Sequence, residues 1–456
     1  MERIQLPLLL GGPVLRRADT RQVNIWLATS EPFEITGQLY SINTGMDDDT
    51  FEYENLNSLS KKKTIRAGSK LFIHLVTLEP EESVFPSGTL IGYNLFFEND
   101  SSHYDLSSFG LLSPEAPSSI VYGNLHYPTF FINDGSSSRI LYGSCRKLHG
   151  EGYDVLSEAD HTLASSFHTD HRPSALFLMG DQIYADDVAD PLFPLLVNLS
   201  RELIGHIEDL GTVDKRLNEG HFDETIYKIN GRQFITEHFC HFTSNNAANH
   251  LLSFGEYAAM YLLSWSPQLW QLARNEKLFV SFEEALSNDQ IYFSFHNHER
   301  YKKEYKAELR LLKKRYEKQA AELSSLEEAL GSVRRLMANI PTYMIFDDHD
   351  ITDDWNLTEQ WKTQVGQSPL GRHVISNGLA SYWLFQGWGN VPESYENFHR
   401  PLQNYFSDYT PNSPAHSDWM EALRDYSAWH FIAPTVPTAV FLDTRTQREY
   451  MNSPSH

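Results

Sequence analysis

Residues 342–350 read TYMIFDDHD, a short apolar run that ends in three aspartates and a histidine. The same design recurs at 139–146 (RILYGSCR), at 175–184 (ALFLMGDQIY) and at 438–445 (TAVFLDTR). Apolar strands that end in polar turns are typical of an α/β sheet, in which functional side chains lie beyond the carboxyl ends of buried strands. The sequence therefore predicts such a sheet, with a site at one of its edges.

The densest of these turns continues to residue 356 and contains five aspartates in its first eight positions. So many carboxylates repel one another unless a positive charge lies among them. A solvated loop is one way to tolerate them. The adjoining apolar strand and Trp355 favour a partly enclosed cluster, and a metal site would hold the carboxylates and His349 together.

Two further turns carry candidate ligands. Asp181 follows Gly180, which permits a tight turn, and its two carboxylate oxygens could bridge two cations. Cys145 follows another strand and precedes Arg146, whose charge would favour a thiolate. A nucleophile, a metal ligand and a small core residue all remain open for this cysteine.

The amino-acid composition excludes some classes of function. The chain has 456 residues, with 37 Lys and Arg against 60 Asp and Glu, and a net charge of −23. This acidity argues against nucleic-acid and anionic-lipid binding, although a basic patch around 302–315 keeps a nuclease as a third alternative. Two cysteines exclude a disulfide framework. With no evident targeting segment or membrane span, a cytoplasmic protein is expected.

The rest of the chain divides in two. Alternating short runs predict an all-β sandwich over residues 1–115, followed by a Pro- and Ser-rich linker. Inserted helices are expected at about 190–340. From Tyr305 to Met337 a seam of mostly apolar residues repeats in steps of four and three, which predicts one long helix. This helix either packs on its own domain or, over about 300–339, pairs with a second copy or another partner.

The ordered motifs resemble those of the PhoD-like alkaline phosphatases, a branch of the calcineurin-like metallophosphoesterases. The resemblance rests on Ser144-Cys145, on Gly180-Asp181-x-x-Tyr184-Ala185-Asp186, on Asp347-Asp348-His349-Asp350 and on Leu442-Asp443-x-Arg445. It implies an αββα metallophosphoesterase sandwich over 116–456, preceded by an immunoglobulin-like β-sandwich. A further Gly-Asp-x-His motif, usual on a later strand in that family, is not found after Arg445. The sandwich is therefore expected to be incomplete at its C-terminal end.

The resemblance also implies roles. Cys145 and Tyr184 would bind a ferric ion, Asp181 would bridge two metals, and Asp348 would bind the second metal, usually calcium in this family. His349 would contact the phosphoryl group or assist the leaving oxygen. Arg146 is our own candidate for a phosphate contact, with a structural salt bridge as the alternative. Asp443 and Arg445 are expected to brace the site rather than to react.

These inferences predict a metal-dependent phosphoric ester hydrolase. A phosphomonoester or phosphodiester would be cleaved by a hydroxide that the two metals activate. The alternative is a weakly active or inactive phosphatase-fold scaffold that binds a partner through the long helix.

Overall fold

The computed structural model describes residues 4–451 apart from 45–49, 136–137, 167, 296, 298 and 408. Its strands are β1 (Leu9–Asp19), β2 (Gln22–Thr29), β3 (Glu34–Thr44), β4 (Phe51–Leu56), β5 (Ser58–Gly68), β6 (Leu71–Pro80), β7 (Leu90–Asn99), β8 (Ser102–Asp105), β9 (Thr129–Phe131), β10 (Ile140–Gly143), β11 (Ala175–Met179), β12 (Thr342–Ile345), β13 (Phe431–Ala433) and β14 (Ala439–Phe441).

The α-helices are α1 (Leu156–Ala164), α2 (Phe193–Ile204), α3 (Leu210–Val213), α4 (Phe222–Thr225), α5 (Gln233–Ile235), α6 (Phe254–Trp265), α7 (Pro267–Asn275), α8 (Phe282–Ser287), α9 (Lys302–Asn339), α10 (Glu359–Gln367), α11 (Pro369–Tyr382), α12 (Glu396–Phe406) and α13 (Pro414–Asp425). Short 3₁₀ or π turns lie at Lys215–Asn218, Thr236–Cys240, Ala247–Asn249, Glu299–Tyr301, Trp383–Gly387 and Pro392–Tyr395.

The first nine strands form two antiparallel sheets, and eight of these strands lie within residues 1–115, the predicted all-β region. One sheet has the order β1-β2-β6-β5, and the other has the order β4-β3-β7-β8 with β9 beside β7. Apolar side chains that include Leu27, Val76, Leu95 and Phe97 pack between them. The immunoglobulin-like topology and the boundary at residue 115 stay predictions.

Strand β2 of the first sheet is buried on both of its faces. Seven of the eight residues of β2 are buried, including the polar Asn24. On the outer face, Trp26 Nε1 donates to the Leu384 carbonyl at 2.7 Å, and Arg16 Nη2 donates to the Gln386 carbonyl at 2.5 Å. The polar and apolar alternation of β2 therefore does not report a solvent-facing side, because the segment around 383–390 covers it.

Three of the four apolar runs form a parallel sheet, in the order β10-β11-β12. The register pairs Gly143 with Leu178 and Met179 with Ile345, so the three strands end at one edge. The fourth run does not join them. It forms β14, which pairs antiparallel with β13, and Phe441 packs on Phe177 at a ring separation of 4.9 Å.

The mixed α/β class is confirmed, with several antiparallel sheets and a long helix. An αββα sandwich needs two large central sheets. In the described part of the chain, the parallel sheet has three strands. Its Phe177 packs on Phe441 of the short β13–β14 hairpin, and its Tyr343 accepts the Ala18 N–H of β1 at 3.4 Å. The αββα arrangement and its C-terminal incompleteness therefore stay predictions.

The predicted long helix is α9, whose 38 residues span about 57 Å at about 1.5 Å per residue. The predicted seam faces inward from Leu312 to Met337, and even its polar member Gln319 is buried. Gln319 Oε1 accepts the backbone N–H of Asp190 at 2.8 Å. The seam thus packs on its own chain, and association with a partner stays a prediction. No helix among the described residues is both long and apolar enough to cross a bilayer.

Candidate metal centre

The turns that follow β10, β11 and β12 lie close together at one edge of the parallel sheet. Cys145 N donates to the Gly180 carbonyl at 3.2 Å, and Arg146 N donates to the Asp181 carbonyl at 2.8 Å. Cys145 and Asp181 both have left-handed backbones, with φ of 57° and 53°. Such conformations cost about 1–3 kcal/mol in residues other than glycine and cluster at functional sites. The turns are therefore held in strained shapes by their surroundings.

Gly180 permits the close approach of two of these turns. Its φ is 101°, and a Cβ at this position would lie 2.4 Å from the Cβ of Asp347. Any larger residue would push the turn after β12 away from the turn after β11. The glycine is thus required both by its conformation and by the space it leaves.

Asp350 links the turn after β11 to the turn after β12 through hydrogen bonds. Its Oδ2 accepts backbone N–H groups of Asp181 at 2.7 Å and Asp347 at 3.0 Å. Its Oδ1 accepts from Gln182 N, Gln386 Nε2 and Tyr261 Oη at 3.0–3.3 Å. This fully buried carboxylate has all its acceptor positions engaged by protein donors. It is an anchor for the site rather than a free ligand.

Three other carboxylates form the candidate cation site. Asp181, Asp347 and Asp348 each offer an oxygen, and these oxygens lie within 4.8 Å of one another. Arg445 contacts two of the three, with Nε 2.6 Å from Asp347 Oδ1 and Nη2 3.1 Å from Asp348 Oδ1. Asp443 holds that arginine in place by accepting its backbone N–H at 2.9 Å, which agrees with the predicted bracing role.

Asp181 lies between the carboxylates and the cysteine. Its Oδ2 is 3.2 Å from Cys145 Sγ, and its Oδ1 accepts the His349 backbone N–H at 3.2 Å. Burial raises the pKa of Asp181, and the charge of Asp350 raises it further. Burial likewise raises the pKa of the Cys145 thiol. Both groups would become anionic ligands more readily beside a cation.

Tyr184 and His349 lie next to each other in the site. Their rings stack at 4.2 Å, and His349 Nδ1 is 2.8 Å from Asp186 Oδ1. Asp186 Oδ2 accepts the Ser244 hydroxyl at 2.6 Å. Burial alone would lower the pKa of His349, but the hydrogen bond and charge of Asp186 outweigh it and raise the pKa to about 9. Burial and the charge of Asp181 raise the pKa of Tyr184.

Arg146 lies apart from this group. Its Nε pairs with Asp154 at 2.7 Å and its Nη1 donates to the Ser264 carbonyl at 2.8 Å. The side chain is 9% exposed. The geometry therefore favours the structural salt bridge over the phosphate contact. It also removes the positive charge that the sequence had placed beside the Cys145 thiol.

Sequence reasoning brought together Cys145, Asp181, Tyr184, Asp348 and His349, and the structure places all five in one cluster. It did not assign separate roles to three residues that complete the cluster: Asp186, Asp347 and Asp350. Each lies in a motif already quoted, so the signal was present. A motif does not show which carboxylate belongs to the candidate cation site and which accepts hydrogen bonds from the backbone.

Comparison with known proteins gives little further information. No family model and no curated protein matches the chain. A solved structure described as "Structure of PhoD" aligns with a TM-score of 0.37 and 10% identity over 98% of this chain and 54% of the other. One described as "Cyclomaltodextrinase" aligns with a TM-score of 0.17 and 10% identity over 83% and 76%. The chain thus spans about half the length of the first structure, and neither likeness assigns a function.

Proposed function

We propose that the protein is a metal-dependent hydrolase of phosphoric esters, either monoesters or diesters. The observation that carries the proposal is the meeting of Asp181, Asp347 and Asp348 within 4.8 Å at the ends of parallel strands. The contact of Cys145 with Asp181 extends the cluster on one side. Clustered hard and soft ligands of this kind bind cations, and paired cations are a common catalyst of phosphoryl transfer.

The charges of the cluster support a cation. Arg445 pairs with Asp347 and Asp348, whereas Asp181 has no cationic hydrogen-bond partner among the described residues. Its raised pKa reflects a buried carboxylate next to other acids. Taking such a group out of water costs free energy that a bound cation would return. The residues present therefore fit a metal.

The donor types divide into two groups that share Asp181. Cys145 and Tyr184 offer a thiolate and a phenolate, which suit iron, and we assign Fe³⁺ to that side. Asp347 and Asp348 offer carboxylate oxygens, which suit Ca²⁺, and we assign calcium to the other side. When bound, the two cations would neutralise phosphate oxygens and lower the pKa of a water molecule.

His349 is the proposed proton donor. Its Nδ1 faces Asp186, so that nitrogen carries a proton and the ring orientation is fixed. The hydrogen bond and charge of Asp186 raise the pKa of His349 to about 9, which favours a protonated ring in the metal-free protein. A protonated Nε2 can donate to the oxygen that leaves phosphorus. Nε2 lies 3.8 Å from Asp353 Oδ1, with which the protonated ring forms an ion pair.

Elemental mass spectrometry tests the proposal on protein purified without chelator. Asp181→Asn keeps the side-chain volume but removes the shared ligand. Loss of an outer partner alone costs about 10–100-fold in metal affinity, so loss of Asp181 should cost more than about 100-fold. We expect iron and calcium in the wild type, neither in Asp181→Asn, and no loss in Asp418→Asn, whose aspartate is exposed on α13.

Hydrolysis of p-nitrophenyl phosphate and its bis ester is measured on the same three proteins. Activity that follows metal content supports the proposal. A wild type without iron or calcium, or an Asp181→Asn variant with full metal content and activity, would overturn it.

A further inference from the structure

A cavity of about 1040 Å³, the α9 cavity, lies between residues 187–190, helices α4 and α5 and the N-terminal half of helix α9. Small-molecule sites commonly enclose about 300–1,000 Å³, so this space is large enough for one. The carboxylates of the candidate metal centre, Asp181, Asp347 and Asp348, are not on its lining. The α9 cavity is therefore a separate candidate site.

Two side chains on this lining are almost fully buried, but each keeps one polar atom open. His149 and Gln319 are 5% and 9% exposed. His149 Nε2 lies 3.2 Å from Asp187 Oδ1, and Gln319 Oε1 accepts the Asp190 N–H at 2.8 Å. His149 Nδ1 and Gln319 Nε2 have no hydrogen-bond partner among the described residues, and neither is one of the unpartnered atoms that are sealed from solvent. Water or a ligand in the cavity must supply their hydrogen bonds.

One short loop holds both of these side chains. Its first residue, Asp187, binds His149, and its last residue, Asp190, binds Gln319. Asn249 Nδ2 donates to Asp190 Oδ1 at 2.7 Å and so ties the loop to the rest of the chain. The two open atoms are thus held by a hydrogen-bonded network, which lowers the entropy cost of binding a ligand.

A second cavity, of about 430 Å³ beside Cys145, is a weaker candidate. Arg146 and Gln182 on its lining also carry unpartnered polar atoms, Nη2 and Oε1. Both atoms are sealed from solvent, so a ligand in that cavity does not reach them. Atoms that are both unpartnered and open distinguish the α9 cavity from this one.

The charges on the lining of the α9 cavity disfavour an anion. Six carboxylates and three lysine or arginine side chains line it. Each of these cations is paired with a carboxylate of the same lining: Lys147 with Asp187, Arg315 with Asp190, and Lys318 with Glu151. The carboxylates in excess would repel an anion, and no lysine or arginine of the lining is left to bind it.

A cation is disfavoured as well. In the part of the chain that the structure describes, metal-ligating side chains converge in groups of three or more only at the candidate metal centre. The carboxylates of the α9 cavity therefore do not form a metal site. An organic ammonium group cannot accept a hydrogen bond from Gln319 Nε2. An uncharged ligand remains.

Hydroxyl groups satisfy both open atoms. Asp187 faces His149 Nε2, so a neutral ring carries its proton there and Nδ1 accepts, whereas Gln319 Nε2 donates. A hydroxyl can do either. The lining also includes Phe234 and Leu311, which are 50% and 67% exposed. The ligand is therefore expected to have an apolar face as well as several hydroxyls, as a sugar ring does.

We propose that the α9 cavity binds a sugar, an uncharged ring with several hydroxyls, through hydrogen bonds to His149 and Gln319. Each open atom receives its own hydroxyl, and Phe234 and Leu311 cover the apolar face of the ring. The site goes beyond the proposed hydrolase activity, because its lining contains none of the candidate metal ligands. Sugar binding is thus measured without metal and without turnover.

Calorimetric titration of the full chain tests the site with glucose, galactose and mannose. Tetrahydropyran, the same ring without hydroxyls, is the matched control. We expect at least one sugar to bind, at least about tenfold more tightly than tetrahydropyran. Neither tetramethylammonium nor inorganic phosphate should displace it. Failure of all three sugars to bind, or displacement by either ion, would overturn the inference.

Two variants remove the open atoms and keep the contacts that support them. Gln319→Glu keeps the acceptor for the Asp190 N–H and loses the Nε2 donor, and His149→Gln keeps a donor for Asp187 and loses Nδ1. Each should weaken sugar binding about tenfold. Gln360→Glu, exposed on α10, should leave it unchanged. Unchanged affinity in the folded His149 and Gln319 variants would mean that the sugar binds elsewhere and that the inference is wrong.

Phe234→Ala keeps the test decisive if either polar variant fails to fold. The side chain is 50% exposed, so its truncation opens no cavity in the core. Loss of its apolar contact should weaken sugar binding at least about threefold. Full affinity in this variant would likewise contradict binding in the α9 cavity. Circular dichroism confirms that each variant is folded.

Discussion

The candidate metal centre and a second titratable cluster, formed by Glu208, His373 and His416, are both built from acids and imidazoles, but they differ in how the polar groups around their buried carboxylates are arranged. In the second cluster, Asn412 N donates to His416 Nδ1 at 3.0 Å. Nε2 of that ring is 2.8 Å from His373 Nδ1, and His373 Nε2 contacts Glu208. One tautomer of each neutral histidine satisfies the whole chain of contacts.

Glu208 completes that cluster from the other end. Its Oε1 accepts Asn377 Nδ2 at 2.9 Å and its Oε2 accepts the Phe254 N–H at 2.9 Å. At the candidate metal centre, by contrast, Asp181 is buried beside other carboxylates, and no cationic side chain among the described residues forms an ion pair with it. The comparison teaches that buried titratable groups alone do not indicate a functional site. A buried carboxylate whose charge no neighbouring cationic side chain balances is the better indicator.

The largest expected effect is on the satisfied cluster. Glu208→Ala leaves His373, Asn377 and the Phe254 N–H without their acceptor. Loss of a buried partner to several donors costs about 3–5 kcal/mol in the free energy of unfolding, measured by urea denaturation. Glu421→Ala, at an exposed position of α13, should change it by less than about 0.5 kcal/mol. Bound iron and calcium should be unaffected in folded Glu208→Ala protein. Their loss would show that the two clusters are coupled.

A smaller effect on stability is expected within the metal centre. Gly180→Ala adds a Cβ that meets Asp347 at 2.4 Å, whereas Gly152→Ala adds one with nothing within 4 Å. The two glycines have φ of 101° and 99°, so both variants incur the same backbone strain. Gly180→Ala should be the less stable by about 1–3 kcal/mol in urea.

Only the Gly180 variant should also lose iron and calcium by elemental mass spectrometry, because only that Cβ displaces the turn that carries Asp347 and Asp348. Equal metal content in the two alanine variants would mean that the close approach is not needed for binding.

The smallest expected effect is the stability difference between the wild type and Asp181→Asn, which should reverse its sign when metal binds. The pKa of Asp181 is raised in the folded state, so its charge lowers stability as pH rises through that pKa. Below the unfolded pKa the penalty is absent. Metal-free Asp181→Asn should therefore be more stable than the wild type at pH 8, by about 1 kcal/mol.

Added Ca²⁺ should stabilise only the wild type, and so reverse the order of the two melting temperatures. Asp418→Asn should match the wild type under both conditions. If metal-free Asp181→Asn is less stable than the wild type, the carboxylate of Asp181 is structural like Glu208.

The parts of the fold that are local in sequence were predictable. Strands β10, β11 and β12 and their turns were predicted because each apolar run and its polar turn are contiguous. The fourth run was expected in the same sheet but forms β14, which pairs with β13, because an apolar run does not encode which strand it pairs with. The seam of α9 was found from its spacing. Its packing on the same chain was one of two open alternatives.

At the site, the residue types were predictable, but the directions in which their side chains point were not. Arg146 follows Cys145, whose positive φ sets the direction of the chain and is not evident from the motif. Arg445 reaches Asp347 across 98 residues of sequence. Sequence spacing carries no information on such a pair, which depends on how the β13–β14 hairpin is placed.

Asp350 has a consequence for how fast the protein could capture its ions. Five donors from four separate segments converge on this one carboxylate, so the turns that carry Asp181 and Asp347 are assembled before any ion arrives. Capture then requires only the shedding of hydration water and small side-chain adjustments, with no loop to fold. Such preorganisation removes a conformational gate, and association is then limited by diffusion and ion dehydration.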